Sequence, residues 1–155
     1  MLVRRPAALL ALACLALVSA CTPTIGVEAG ENAADPACAP VMLALPDVVA
    51  GDLDKVDTNA QATAAWGESG AAVTLRCGVA QPGPSPDCQR IEAPDGTIDW
   101  IVASSEDGTW QFTTYGRDPA IQVTVPPTIT ADHSTSFITD LTGAVQLVPA
   151  TQECT

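Results

Sequence analysis

The sequence predicts an α+β fold, a single small domain in which an antiparallel sheet of four to five strands carries two helices packed on one face. Two observations lead there. Between Val73 and Val125 apolar residues recur at a period of two, the mark of half-buried strands, and on either side of that stretch the spacing becomes helical. Strand runs bracketed by helices, with no βαβ alternation, put the helices together on one side of an antiparallel sheet.

Taken in order, Val41-Met42-Leu43-Ala44-Leu45-Pro46 is a short apolar run ended by proline and is expected as a first strand. After the acidic loop Gly51 to Asp57, Thr58-Asn59-Ala60-Gln61 has the form of a capping box, so a helix should run to about Trp66 and stop at Gly67. Val73, Leu75 and Cys77 then alternate with Thr74 and Arg76. Four further strands follow, over residues 89–93, 97–104, 109–116 and 120–125. Pro94-Asp95-Gly96 and Glu106-Asp107-Gly108 supply turns in which Pro presets one dihedral and Gly accepts a positive one. Phe137, Ile138, Leu141, Ala144, Val145 and Val148 recur at helical intervals before Pro149, which predicts the second helix.

The N-terminal stretch reads as an address. Arg4-Arg5 precede the apolar run Ala7 to Val18, which ends in Leu17-Val18-Ser19-Ala20-Cys21. A permanent span needs about 20 apolar residues, more than this run offers. Small residues followed by Cys fit a lipoprotein signal, cleaved so that residues 1–20 are removed and the Cys21 thiol carries acyl chains such as palmitate. On this reading residues 21–37 form a flexible tether, with too little apolar surface to fold, and residues 38–155 form the domain. The expected location is the extracytoplasmic face of the plasma membrane, with the membrane itself as one partner.

From Cys21 onward four basic residues, Lys55, Arg76, Arg90 and Arg117, stand against all eighteen acids, a formal charge of −14. Such a field repels nucleic acid and anionic headgroups, so no nucleic-acid partner is expected. A single Lys in a chain rich in Ala and Gly suggests a GC-rich coding sequence, as in an actinobacterium.

With Cys14 in the signal and Cys21 lipidated, Cys38, Cys77, Cys88 and Cys154 remain, an even number in an oxidising compartment. Two disulfides with three possible connectivities follow. Cys77 and Cys88 flank the Pro-rich stretch 78–87, which a bridge between them would close; Cys38 and Cys154 would then tie the ends. Metal binding is not expected, since no two cysteines lie two or three residues apart and His133 is the only imidazole.

Leu45-Pro46, Trp66-Gly67, Arg76-Cys77-Gly78, Cys88, Asp99-Trp100, Tyr115-Gly116-Arg117-Asp118-Pro119 and Val123-Thr124-Val125-Pro126 occur in that order. Together, over about Cys38 to Val148, they resemble the actinobacterial lipoproteins catalogued as domain of unknown function 3515. The resemblance implies a membrane-anchored or secreted envelope protein and leaves the mechanism open.

Among individual residues, Arg76 and Arg117 each sit near a Gly at a strand end. Each is expected to be held by a carboxylate such as Asp99 or Asp118, or else to form an anion clamp. Trp66, Trp100, Trp110 or Tyr115 would supply the apolar wall of such a site. Asp132-His133-Ser134 lists the members of a hydrolase trio, but three chain neighbours do not converge as a triad must. Asp52 to Asp57 spaces its acids like a calcium loop yet lacks the Gly and the distal Glu. No cofactor motif is present, and no enzyme is expected. The sequence therefore predicts a non-catalytic interaction or accessory module for another envelope protein, with binding of a small anion or carboxylate as the alternative.

Overall fold

The computed structural model describes residues 23–155; the signal expected over residues 1–20 and the lipidated Cys21 lie outside the described residues. Nine strands form one mixed sheet: β1 (Thr24–Ile25), β2 (Val48–Val49), β3 (Leu53–Thr58), β4 (Thr63–Glu68), β5 (Ala71–Val79), β6 (Cys88–Ala93), β7 (Gly96–Ser104), β8 (Trp110–Thr114) and β9 (Ala120–Val125). Their spatial order is β1-β3-β4-β5-β9-β8-β7-β6, with β2 also paired to β3. Among the described residues only β1 with β3 is parallel.

The expected sheet of four to five strands under two helices is thus too small, and its helices are too long. The helical elements are α1 (Cys38–Ala44), α2 (Pro127–Thr130), a 3₁₀ helix (Thr135–Leu141) and α3 (Thr142–Val145). Two elements exchange identity. Val41 to Ala44, expected as a strand, lies in α1, which turns Cys38 and Val41 inward and leaves Leu43 89% exposed. The inward residues Cys38, Val41 and Leu45 recur at helical spacing, a signal hidden inside a continuous apolar run.

The helix expected from Thr58 to Trp66 is instead a tight turn followed by β4. Ala62 adopts a φ of 54°, and Thr63, Ala64, Ala65 and Trp66 are all buried. A strand covered on both faces shows no alternation, so its period is invisible in the sequence. The Trp66 indole N–H donates to the Pro46 carbonyl at 2.9 Å, fixing the loop after α1 to the strand.

The strands from β5 onward follow the alternation. Val73, Leu75 and Cys77 on β5, Ile98 and Trp100 on β7, Phe112 on β8, and Ile121, Val123 and Val125 on β9 are buried together. Val41 and Leu45 from the α1 region and Phe137, Ile138, Leu141, Val145 and Val148 from the C-terminal segment complete the same core. The helical spacing of that last segment is real, but it is shared between a 3₁₀ helix and one turn of α-helix.

Residues 24–37, expected as a flexible tether, lie against the sheet. Beyond the pairing of β1 with β3, the Val27 amide donates to Asn59 Oδ1 at 2.7 Å and the Asn32 amide to the Gly78 carbonyl at 2.8 Å. Gly78, at a φ of +86° beside a bulge in β5, makes this crossing possible: a Cβ there would collide with the Asn32 backbone. Few apolar side chains are needed when backbone meets backbone.

The disulfides join Cys38 to Cys77 and Cys88 to Cys154, with Cα separations of 5.8 and 5.7 Å. The expected pairs, Cys77 with Cys88 and Cys38 with Cys154, do not form, and strand order accounts for the first. In the sheet order β9, β8 and β7 stand between β5, which carries Cys77, and β6, which carries Cys88. A bridge needs Cα atoms within about 7 Å.

Candidate functional site

Of the sequence-predicted binding residues Arg76, Arg117, Trp100 and Tyr115, two come together and two stand apart. Arg76, on β5, donates from Nε and Nη2 to Gln122 Oε1 on the neighbouring β9 at 3.0 and 2.8 Å, and among the described residues no carboxylate pairs with it. Trp100 is 1% exposed and meets Phe112 edge to face at 6.2 Å, so it belongs to the core. Arg117 and Tyr115 do share a cavity of about 260 Å³ with Arg90, Asp99 and Glu153.

That cavity is built where the β6–β7 hairpin meets the C-terminal segment. Asp99 faces Arg90 across the hairpin, and it is Arg90, not Arg76 or Arg117, that clasps it, through Nε and Nη2. Arg90 also reaches Glu153 at 2.8 Å, and the Cys154 amide donates to Asp99. Arg117 is 6% exposed, donates from Nη1 to the Val148 carbonyl, and among the described residues its buried Nε has no hydrogen-bond partner. The Tyr115 hydroxyl donates to Gln152 Oε1 at 3.0 Å.

The electrostatics follow from this packing. Burial pushes the Asp99 carboxyl upward, but the Arg90 hydrogen bonds, the Cys154 amide and the charges of Arg90 and Arg117 outweigh it and hold the group below the usual carboxylate value. Burial lowers the Arg117 guanidinium, with the Asp99 charge opposing. The Arg90–Asp99 pairing was accessible from the sequence. A turn at Pro94-Asp95-Gly96 that pairs Ala93 with Gly96 sets residue 90 opposite residue 99.

A second concavity of about 670 Å³ was not foreseen. It lies between β3, the β4–β5 turn and α2, and Pro23 and Ile25 border it on one side. Leu53, Val56 and Ile129 form its floor, and the exposed acids Asp52, Asp54, Glu68 and Asp132 stand around it. His133 closes one end, with Nε2 at 2.8 Å from Asp52 Oδ1 and Nδ1 at 3.3 Å from the Ile129 carbonyl. Both partners are acceptors, so the imidazolium suits the site, and the Asp52 bond raises the His133 pKa. The β1–β3 pairing brings Ile25 to this place, and the packing of α2 on β5 brings Ile129 and His133.

Asp132, His133 and Ser134 go separate ways. His133 turns to Asp52, while Ser134 Oγ caps the 3₁₀ helix by accepting the Ser136 amide at 3.3 Å. Among the described residues no group of three or more His, Cys, Asp or Glu is placed to hold a metal ion, and no helix is long and apolar enough to cross a membrane. No curated protein and no solved structure matches the chain. Over residues 6–153 it matches the family described as Protein of unknown function (DUF3515), and it belongs to that family.

Proposed function

We propose that the chain is a lipoprotein of the cell envelope, held at the outer face of the plasma membrane through acyl chains on Cys21, and that its domain is a non-catalytic docking module for another envelope protein. The observation that carries this reading is the pair of disulfides, Cys38–Cys77 and Cys88–Cys154, behind an N-terminal stretch that ends in Ser19-Ala20-Cys21. Disulfides of this structural kind persist in oxidising compartments, and stable anchoring takes two or more acyl chains, which a lipidated N-terminal Cys supplies. The scarcity of Lys supports an actinobacterial source.

Detergent phase partitioning tests the anchor. The intact protein should enter the detergent phase and Cys21→Ser should leave it; equal partitioning of the two removes the anchor. Affinity capture through the domain tests the docking half. One envelope protein recovered at near-equal amount supports it, and a clean domain counts against it.

The alternative, capture of a small anion or carboxylate, has one observation in its favour, the buried Arg117 Nε without a partner among the described residues. Against it, Glu92, Asp99 and Glu153 line the same cavity as Arg90 and Arg117, and its volume falls below the range of about 300 to 1,000 Å³ usual for ligand sites. A melting temperature unmoved by acetate and by phosphate removes this alternative.

A further inference from the structure

We propose that the groove between β3, the β4–β5 turn and α2 receives a basic segment of a partner protein, with Lys or Arg on its acidic rim and an apolar side chain on its floor. The inference rests on the docking reading above and names the chemistry of the partner.

Three features of the groove select this occupant. Leu53 and Val56 are only half-buried on the floor, and Ile129 lies beside them, leaving apolar surface that an apolar side chain would cover. On the rim Asp54, Glu68 and Asp132 are exposed, and among the described residues none of them enters an ion pair. An apolar floor, and a rim on which Asp52 is taken by His133 while Asp54, Glu68 and Asp132 enter no ion pair among the described residues, together fit a segment in which basic and apolar residues are neighbours.

Other occupants fit worse. A second copy of this chain from Cys21 onward brings eighteen acids against four basic residues, so like charge would face like. An anionic lipid surface would meet the same repulsion. Pro23, at the groove edge, follows Cys21 by two residues, about 7 Å of extended chain. With the anchor at Cys21 the groove lies close to the bilayer, where the segment flanking a partner's own membrane span passes.

The test uses the full chain in detergent micelles and fluorescein-labelled hexapeptides alternating Leu with Arg, Leu with Glu, and Ser with Arg. Fluorescence anisotropy should show the Leu/Arg peptide binding at least fivefold tighter than the other two. Glu68→Lys combined with Asp132→Lys should weaken that binding at least tenfold. Glu106→Lys, at the exposed turn after β7 and outside the groove, should change it less than twofold. Thermal melts establish that each variant is folded. Binding unchanged in the double variant, or equal binding of the three peptides, overturns the proposal. So does pelleting of the Cys21→Ser protein with phosphatidylcholine–phosphatidylglycerol vesicles that the double variant abolishes, because the groove would then serve a lipid surface. Detergent partitioning of the same preparations keeps the readings apart. A chain that binds the peptide but never partitions refutes the anchor alone, and one that partitions but ignores the peptide refutes the groove alone.

Discussion

Both oxygens of Asp99 are engaged by the guanidinium of Arg90, Nε to Oδ1 at 3.0 Å and Nη2 to Oδ2 at 3.2 Å, while Oδ2 also accepts the Cys154 amide at 2.6 Å. The side chains are unequally placed: Asp99 is 7% exposed and Arg90 45%. One carboxylate thus fastens the C-terminal segment to the β6–β7 hairpin and faces the buried charge of Arg117 as well.

Asp99→Ala should therefore cost far more than Arg90→Ala. Removing the carboxylate leaves the Cys154 amide unpaired and the Arg117 charge without its counterion, a loss of about 2 to 3 kcal/mol once the exposed side of the pair is discounted. Arg90, already wetted, leaves a carboxylate that still holds the Cys154 amide. Urea midpoints decide the ranking, and equal midpoints for the two variants would show that Arg117 does not depend on Asp99.

Acid should find the same residue. The folded pKa of Asp99 lies below its unfolded value of about 3.9, so its contribution is complete above that pH and is lost as pH falls through the folded value. Stability measured from pH 5 downward should fall less steeply in Asp99→Asn than in the original protein. Parallel acid limbs in the two proteins would refute this.

His133 should titrate above 6.5. Its stabilising contribution is complete below that pH and disappears as pH rises through the folded pKa. The NMR shift of the imidazole should report a midpoint above that of a free histidine, and Asp52→Asn should bring it down. An unmoved midpoint in that variant would mean that Asp52 is not the group responsible.

The two disulfides close loops of 39 and 66 residues, for which chain entropy gives nearly equal stabilisation, about 4 kcal/mol each. Burial separates them. Cys38 and Cys77 are 2% and 0% exposed, whereas Cys88 and Cys154 are half-buried. Mild reductant should open Cys88–Cys154 first, and Cys38→Ala with Cys77→Ala should lower the melting temperature more than Cys88→Ala with Cys154→Ala. Alkylation with peptide mapping reads the order of opening; simultaneous release of all four thiols would contradict it.

What the sequence disclosed and what it hid divide along one physical line. Strands with one buried face, such as Ala120–Val125, announce themselves by alternation, and the β6–β7 hairpin is marked by its turn. The Trp66 strand, buried on both faces, shows no alternation, and the helical spacing of Cys38, Val41 and Leu45 is masked by the apolar neighbours Met42, Leu43 and Ala44. Long-range pairing leaves still less trace. The Gly30-to-Asn32 backbone resting on Gly78, the partners of the four cysteines and the meeting of Ile25 with the β3 edge depend on which strands become neighbours. The groove is illegible for this reason, since its walls come from four separate parts of the chain, while Arg76 and Arg117 stand out as rare cations yet hold different partners, Gln122 and Val148.

The two covalent loops follow one another along the chain without crossing, residues 38–77 and then 88–154. β3, β4 and the bulk of β5 fall in the first and β6 to β9 in the second, and the sheet joins the two along the β5–β9 ladder. A protease cut in the exposed Pro-rich stretch between Val79 and Cys88 would consequently leave two pieces that share no covalent bond. Each would keep its own bridge and one side of the β5–β9 ladder, which makes this chain a natural candidate for fragment complementation, with reassembly of its halves readable directly as recovery of the β5–β9 amide protection.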